Sequence, residues 1–240
     1  MSTESLSLVE RAGLDPGTLE NLIRRGLDGA DDGELFLEYR QAEMLVFDNH
    51  RLKQATYDTS QGFGLRAVKG EAVGYAHASE LSEPALRRAA DAVRVVQRGY
   101  SGRYAEPPPR TNRRLYVEDN PLAGPDFETK VRLLQQIDSY VRDKDARVQQ
   151  VSVSFGATWQ TVEIVRADGH VYRDVRPLVR VNISVVAGAG DRQEAGSHGY
   201  GGREGFQRFL ETAAWREAAD SAVRQALVNL ESVPAPAGEM

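Results

Sequence analysis

The chain has 240 residues, of which 41% are hydrophobic and 27% charged, and its formal net charge is −5. This composition excludes a wholly disordered chain, and the acidic balance gives no general attraction to nucleic acid or to anionic membranes. No cysteine is present, and no apolar run approaches the ~20 residues that a membrane-spanning helix needs. Composition therefore predicts a cytoplasmic protein with neither nucleic-acid nor membrane partners.

The first elements predicted along the chain are a helix and a strand hairpin. Asp15-Pro16 is a typical helix start, and a leucine-rich stripe continues toward Gly29. Residues 34–47 and 51–58 predict two strands that meet at a turn of Asp48-Asn49.

Residues 58–78 form a glycine-punctuated segment that alternates apolar and other residues, as half-buried strands do. A turn is predicted at Lys69-Gly70-Glu71, between two extended stretches. Glycine weakens a strand unless a bulge or a close neighbour requires it. The glycines therefore predict a surface against which something lies.

A second helix is predicted to begin after Ser82, and a Pro- and Arg-rich linker follows it over residues 101–122. The linker contains a basic cluster around Pro107-Pro108-Pro109, for which a solvated connector is favoured over a nucleic-acid patch. The division predicted is a first unit over 1–100, this linker, a second unit over 123–232, and a further linker over 233–240.

The second unit is predicted to repeat the order of helix, hairpin strands and helix. A helix begins at Pro125-Asp126, alternating strands follow between residues 151 and 200, and a final helix runs from about Glu204 to Leu230. Short turns join the consecutive strands, which excludes parallel βαβ units. The fold class predicted is α+β, with two helix/antiparallel-sheet units of similar element order.

The residues themselves indicate no catalytic centre. The four histidines are far apart in sequence and none belongs to a His-Glu-x-x-His arrangement. The glycine run Gly199–Gly205 lacks the Lys-Ser/Thr of a phosphate-binding loop, and Glu204 replaces the third glycine of a dinucleotide fingerprint. A flexible strand-to-helix passage is therefore favoured there over a nucleotide site.

Several motifs together resemble those of the TldD/PmbA family, and of its TldD side in particular. Residues 60–70 are similar to the family signature S-x-D-x-G-x-G-x-R-A-x-x-G, from which they depart at Gln61-Gly62. Further matches lie at 166–169, 174–180, 199–203 and 226–238, so the resemblance covers nearly the whole chain.

The resemblance implies a zinc metalloprotease that works as a heterodimer with a TldE/PmbA-like subunit. Such an assembly cleaves unfolded or modified peptides, and the family is also described as a modulator of DNA gyrase. Its metal is held by a His-Glu-x-x-x-His helix and a cysteine, and this sequence has neither. The resemblance thus implies an N-terminal portion that binds no zinc and is inactive alone.

The site predicted is a surface for an extended peptide substrate or for the partner subunit, since glycine-rich strands expose backbone to which a further strand can add. No catalytic and no metal-binding residue is predicted. The candidate residues are Gly62, Gly64, Arg66, Gly196, Gly201, Gly202 and Arg203. The alternative is a free-standing, non-catalytic peptide-binding or assembly module.

Overall fold

The computed structural model describes residues 7–11, 13–94, 116–235 and 238. Its helices are α1 (Leu8–Arg11), α2 (Pro16–Leu27), α3 (Glu83–Val93), α4 (Phe127–Arg142) and α5 (Thr212–Glu231). Its strands are β1 (Asp32–Asp48), β2 (Arg51–Lys69), β3 (Ala72–Ala78), β4 (Val148–Arg166), β5 (Val171–Ala189) and β6 (Arg192–Gly202). The α+β class predicted from the sequence is confirmed.

The strands form one six-stranded sheet in the order β3-β2-β1-β4-β5-β6. The β2–β3 and β5–β6 pairs are antiparallel, with Arg66 opposite Tyr75 and Ser184 opposite Ser197. Strand β3 therefore lies at one edge of the sheet and β6 at the other.

The helix starts follow the capping residues identified in the sequence. The Asp15 carboxylate accepts a hydrogen bond from the Thr18 N–H at 2.7 Å, and Asp126 accepts one from the Thr129 N–H at the same distance. Thr18 holds the pKa of Asp15 below the usual aspartate range, chiefly through its N–H, and Thr129 does so for Asp126, chiefly through its hydroxyl and then its N–H, because these bonds stabilise the charged form. The Ser82 hydroxyl caps α3 in the same way at the Ala85 N–H.

The end of the chain departs from the single helix predicted over 204–230. A 3-10 helix occupies Phe206–Leu210, and Glu211 has extended backbone with φ −63° and ψ 122° before α5 begins at Thr212. The 3-10 helix buries Phe206 and Phe209, whose spacing of three residues suits this tighter helix. The prediction of one continuous helix was therefore wrong at its start.

The chain divides into two compact units that interleave in sequence. The first comprises Met1–Gln41, Thr59–Leu115 and Gln160–Arg176, and the second comprises Ala42–Asp58, Tyr116–Trp159 and Pro177–Met240. The linker predicted over 101–122 lies largely outside the described residues, so the sequence division at that segment stays a prediction.

In the first unit, α2 and α3 pack against each other, and α3 also packs on β3. Leu35 and Leu37 of β1 and Leu65 of β2 are almost fully buried in its core. The core therefore lies between these strands and the helices that cover them.

In the second unit, α4 packs on α5, and α5 lies against β6. Val153, Phe155, Val181 and Ile183 are buried beneath the helices. Each fully buried large apolar side chain contributes about 1.5–3 kcal/mol. This core is therefore the main source of stability for β6, which carries Gly196, Gly201 and Gly202.

No helix within residues 7–11, 13–94 and 116–235 is long and apolar enough to cross a membrane.

Candidate functional site

The candidate residues of the first unit are neighbours on β2, where β3 pairs with it. A Cβ atom at Gly64 would stand 2.5 Å from the Tyr75 hydroxyl oxygen, and one at Gly62 would stand 2.8 Å from the Ala78 carbonyl oxygen. The Tyr75 ring, itself 63% exposed, therefore lies over the space that a side chain at Gly64 would need. Within this chain, both glycines already have a close neighbour.

Arg66 of β2 belongs to a network of alternating charges with acidic residues of β1 and with Arg166 of β4. Its Nε donates to the Glu34 carboxylate at 3.1 Å, and its Nη2 lies 3.6 Å from the Asp32 carboxylate. Arg166 donates to the other Asp32 oxygen at 2.6 Å. Because two carboxylates face two guanidinium groups, the network is balanced in charge, and a new anionic ligand would compete with these internal partners.

The candidate glycines of the second unit lie on β6 and differ in what surrounds them. A Cβ atom at Gly196 would stand 2.3 Å from the Ala222 carbonyl oxygen and 2.4 Å from the Ala226 nitrogen, both in the backbone of α5. One at Gly201 would stand 2.4 Å from the Val179 carbonyl oxygen. One at Gly202 would meet only Glu204, at 3.8 Å or more, so that position has room for a side chain.

Arg203 follows β6 directly and is exposed. Its guanidinium carbon lies 5.1 Å from the centre of the Tyr116 ring, which is a cation–π distance. An arginine resting on a ring keeps its planar donors available at the edges. Arg203 can thus bind a carboxylate or a backbone carbonyl without first breaking an ion pair to the described residues.

A cavity of about 470 Å³ opens beside the end of β6. Its lining includes His198, Tyr200, Glu204, Arg208 and Glu217. The Tyr200 hydroxyl is buried and has no hydrogen-bond partner among the described residues. Burial raises the pKa of this hydroxyl, so it stays protonated and able to donate.

A second cavity, of about 830 Å³, lies in the first unit between α2 and the β4–β5 hairpin. Glu163 lines it and is only 3% exposed. Its carboxylate accepts the Leu8 N–H at 2.9 Å and lies 3.4 Å from Arg173 Nε. This acid therefore has a structural role at the start of α1.

Sequence reasoning missed Glu163 and Tyr200. Glu163 sits between Val162 and Ile164 in a strand, where an isolated acid is the only available signal. The sequence gives no signal for the buried Tyr200 hydroxyl, because its surroundings, among them the Phe209 ring stacked on the Tyr200 ring at a centroid distance of 5.9 Å, are set by the tertiary fold.

The structure keeps the two groups of candidate residues in different units. Gly62, Gly64 and Arg66 belong to the first, whereas Gly196 and the segment Gly201–Arg203 belong to the second. The assignment of all seven to one surface remains a proposal.

The described residues do not provide a metal centre. No three His, Asp or Glu side chains among them converge as ligands would. His50 contacts the buried Asp138 carboxylate at 3.0 Å, His170 contacts Asp168 at 3.0 Å, and His77 stacks on Tyr75. The described residues thus do not form a site that would hold a catalytic metal ion.

Family models match both parts of the chain. Residues 33–96 match the PmbA/TldA metallopeptidase domain 1, and residues 120–230 match the PmbA/TldA metallopeptidase central domain. The class to which this fold belongs is therefore that of metallopeptidase domains.

Relatives identify the family. The chain is 35% identical to the Metalloprotease TldD homolog of Haemophilus influenzae, over 98% of this chain and 51% of the relative. It is 30% identical to that of Buchnera aphidicola subsp. Acyrthosiphon pisum, over 92% of this chain and 46% of the relative. The chain belongs to the PmbA/TldD metallopeptidase family, and it spans about half the length of these relatives.

Solved structures share the fold at low sequence identity. A candidate modulator of DNA gyrase from Bacteroides thetaiotaomicron has a TM-score of 0.74 at 11% identity, over 91% of this chain and 51% of that one. TldE from Thermococcus kodakarensis has a TM-score of 0.67 at 16% identity, over 88% of this chain and 47% of that one. The sheet and its helices are thus a shared architecture.

Proposed function

We propose that this chain is the N-terminal, substrate- and partner-positioning part of a cytoplasmic, TldD-like zinc metallopeptidase. It acts on unfolded or modified peptides as a heterodimer with a TldE/PmbA-like subunit. The observation that carries the proposal is the 35% identity to a metalloprotease TldD homolog over nearly the whole chain.

The chain's own contribution is to position, and it supplies no catalytic group. In support, no metal-ligating cluster occurs among the described residues, while exposed strand edges and the exposed Arg203 are present. Strand edges bind extended peptides through main-chain hydrogen bonds and so need little side-chain specificity. A peptidase for varied unfolded substrates requires this kind of recognition.

In this proposal Arg203 makes a polar contact with the peptide substrate, and removing its side chain tests that contact. In the complete heterodimeric peptidase, Arg203→Ala should lower kcat/KM for an unfolded peptide by about tenfold, the worth of one hydrogen bond to a charged group. The matched control is Arg216→Ala, since Arg216 is also exposed and its guanidinium carbon lies 5.3 Å from the centre of the Tyr140 ring. Equal rates for wild type and Arg203→Ala would remove Arg203 from the site.

The proposed heterodimer and the proposed lack of zinc binding are both tested on the 240-residue chain itself. It should co-elute with the TldE/PmbA-like subunit of the same organism in size-exclusion chromatography. It should neither hydrolyse peptides nor hold zinc one-to-one in metal analysis. Tight stoichiometric zinc would contradict the non-catalytic role, and failure to associate would contradict the heterodimer.

A further inference from the structure

Strand β6 lies at an edge of the sheet, and only part of that edge is covered. Ala195 and Ser197 direct their backbone groups outward: Asn229 of α5 donates to the Ala195 carbonyl at 2.9 Å, and the Gln225 side chain accepts the Ser197 N–H at 2.7 Å. Helix α5 thereby blocks this part of the edge against further strands.

The next outward-facing residues along β6 are Gly199 and Gly201. In an antiparallel strand, residues alternate between those that bond the partner strand and those that face away from it. The β5–β6 register is continuous from Arg192 to Gly202, so the alternation set by Ala195 and Ser197 extends to both glycines. Both are exposed, and no side chain of the described residues bonds their N–H or C=O groups.

The cavity of about 470 Å³ lies beside this open stretch. Tyr200 stands between the two glycines, and its side chain lines the cavity on the side of α5, with the hydroxyl unpartnered. Glu204 and Glu217 also line the cavity, together with His198 and with Arg208, which is bonded to Glu204. The formal charge of the lining therefore favours a cationic side chain over an anionic one.

We propose that the edge of β6 from Gly199 to Gly201 accepts one extended polypeptide segment as an added antiparallel strand. The segment's side chain opposite Tyr200 enters the cavity, where the acidic lining favours lysine. This inference rests on the proposed function, because it specifies where on the chain the peptide substrate is held. Two glycines offer up to four main-chain hydrogen bonds, and the α5 side chains stop the added strand from extending further along β6.

The geometry makes a backbone-specific test feasible. A residue opposite Tyr200 directs its own N–H away from β6, whereas the residues on either side of it direct theirs toward Gly199 and Gly201. The probe is the acetylated, amidated peptide Thr-Thr-Lys-Thr-Thr, titrated into the 240-residue chain by NMR. Methylating the two amides that flank the lysine should weaken binding about tenfold or more, while methylating the lysine amide itself should leave binding unchanged.

Glu217→Gln is the matched protein variant, because it removes a negative charge from the cavity lining and keeps the size of the side chain. It should weaken the lysine peptide about three- to tenfold, leave a peptide with alanine in place of lysine unaffected, and leave the unfolding midpoint unchanged. Binding should also perturb the Gly199 and Gly201 amide signals and spare that of Ser197.

The possible results separate this site from the proposed function. Binding that is indifferent to both methylation patterns and to Glu217→Gln would overturn the β6 site and leave the positioning role intact elsewhere. No binding, in a chain that still associates with its TldE/PmbA-like subunit, would also overturn the site. Neither binding nor association would overturn both proposals.

Discussion

The two glycine-rich strand regions look alike in sequence but differ in what lies against them. At Gly64 the neighbour is the end of an exposed tyrosine side chain, which can swing away. At Gly196 the neighbour is the backbone of α5, which cannot. Glycine in a strand therefore marks close approach in both regions, but only at Gly196 does the fold itself require it.

The two regions also differ at their sheet edges. Strand β3 presents exposed Val73 and Tyr75. On strand β6, polar side chains of α5 bond the backbone of Ala195 and Ser197, whereas no described side chain bonds that of Gly199 and Gly201. A short opening in a protected edge is suited to one added strand, because the protected part prevents open-ended growth of the sheet.

The largest loss of stability is expected at Gly196, where backbone atoms of α5 fill the space that a side chain would need. Gly196→Ala places a methyl group within 2.4 Å of two α5 backbone atoms, so β6 and α5 must separate. We expect a loss of about 3 kcal/mol in the free energy of unfolding, measured by urea denaturation. Gly202→Ala is the control: the added methyl meets nothing closer than 3.8 Å, and the change should stay within about 0.5 kcal/mol. Equal stabilities of the two variants would contradict the distinction.

A smaller effect is expected where a side chain fills the space. Gly64→Ala should cost about 1 kcal/mol, because the Tyr75 ring can rotate toward solvent. In a double-mutant cycle, Tyr75→Ala should remove most of that cost, so the two changes would be clearly non-additive. Additive losses would show that Gly64 is constrained by something other than the Tyr75 ring.

The periodicity of the apolar residues and the helix-capping residues made much of the fold predictable from the sequence. Alternation over 151–159 and 179–185 indicated strands of β4 and β5, and Asp15 and Asp126 indicated helix starts, because these signals are local. The predicted strand 51–58 and the first extended stretch of the segment 58–78 proved to be parts of the single strand β2. Local patterns define an element, but whether two elements join depends on the sheet.

The candidate site was less predictable, because its properties are tertiary. The sequence showed that glycines punctuate β2 and β6, but not that Tyr75 or the α5 backbone would occupy the space beside them. Nor could it show that Asn229 and Gln225 would cover half of one edge, since they lie about 30 residues away from the groups that they bond. The alternation of residues along the strand predicts the register, but the packing of α5 determines which glycines keep unbonded backbone groups.

The smallest effect is expected at the turns that close the two regions. Gly70 and Gly190 have nearly the same left-handed backbone, with φ of +58° and +59°. At the first turn, the Asp31 carboxylate accepts the Gly70 N–H at 2.7 Å and the Lys69 ammonium at 3.0 Å. These two bonds, the first being the larger cause, hold the pKa of Asp31 below its ordinary value of 3.8.

A carboxylate with a lowered folded-state pKa stabilises the fold above the unfolded value and loses that contribution as the pH falls through the folded value. The stability difference between wild type and Asp31→Asn should thus be full at neutral pH and shrink only below about pH 3.8. In NMR, the Gly70 amide signal should shift over that acidic range. The Gly190 amide serves as the internal reference, since no side chain of the described residues bonds it. A Gly70 signal that titrated above pH 3.8, or a stability difference that was already lost above pH 3.8, would contradict this role of Asp31 at the first turn.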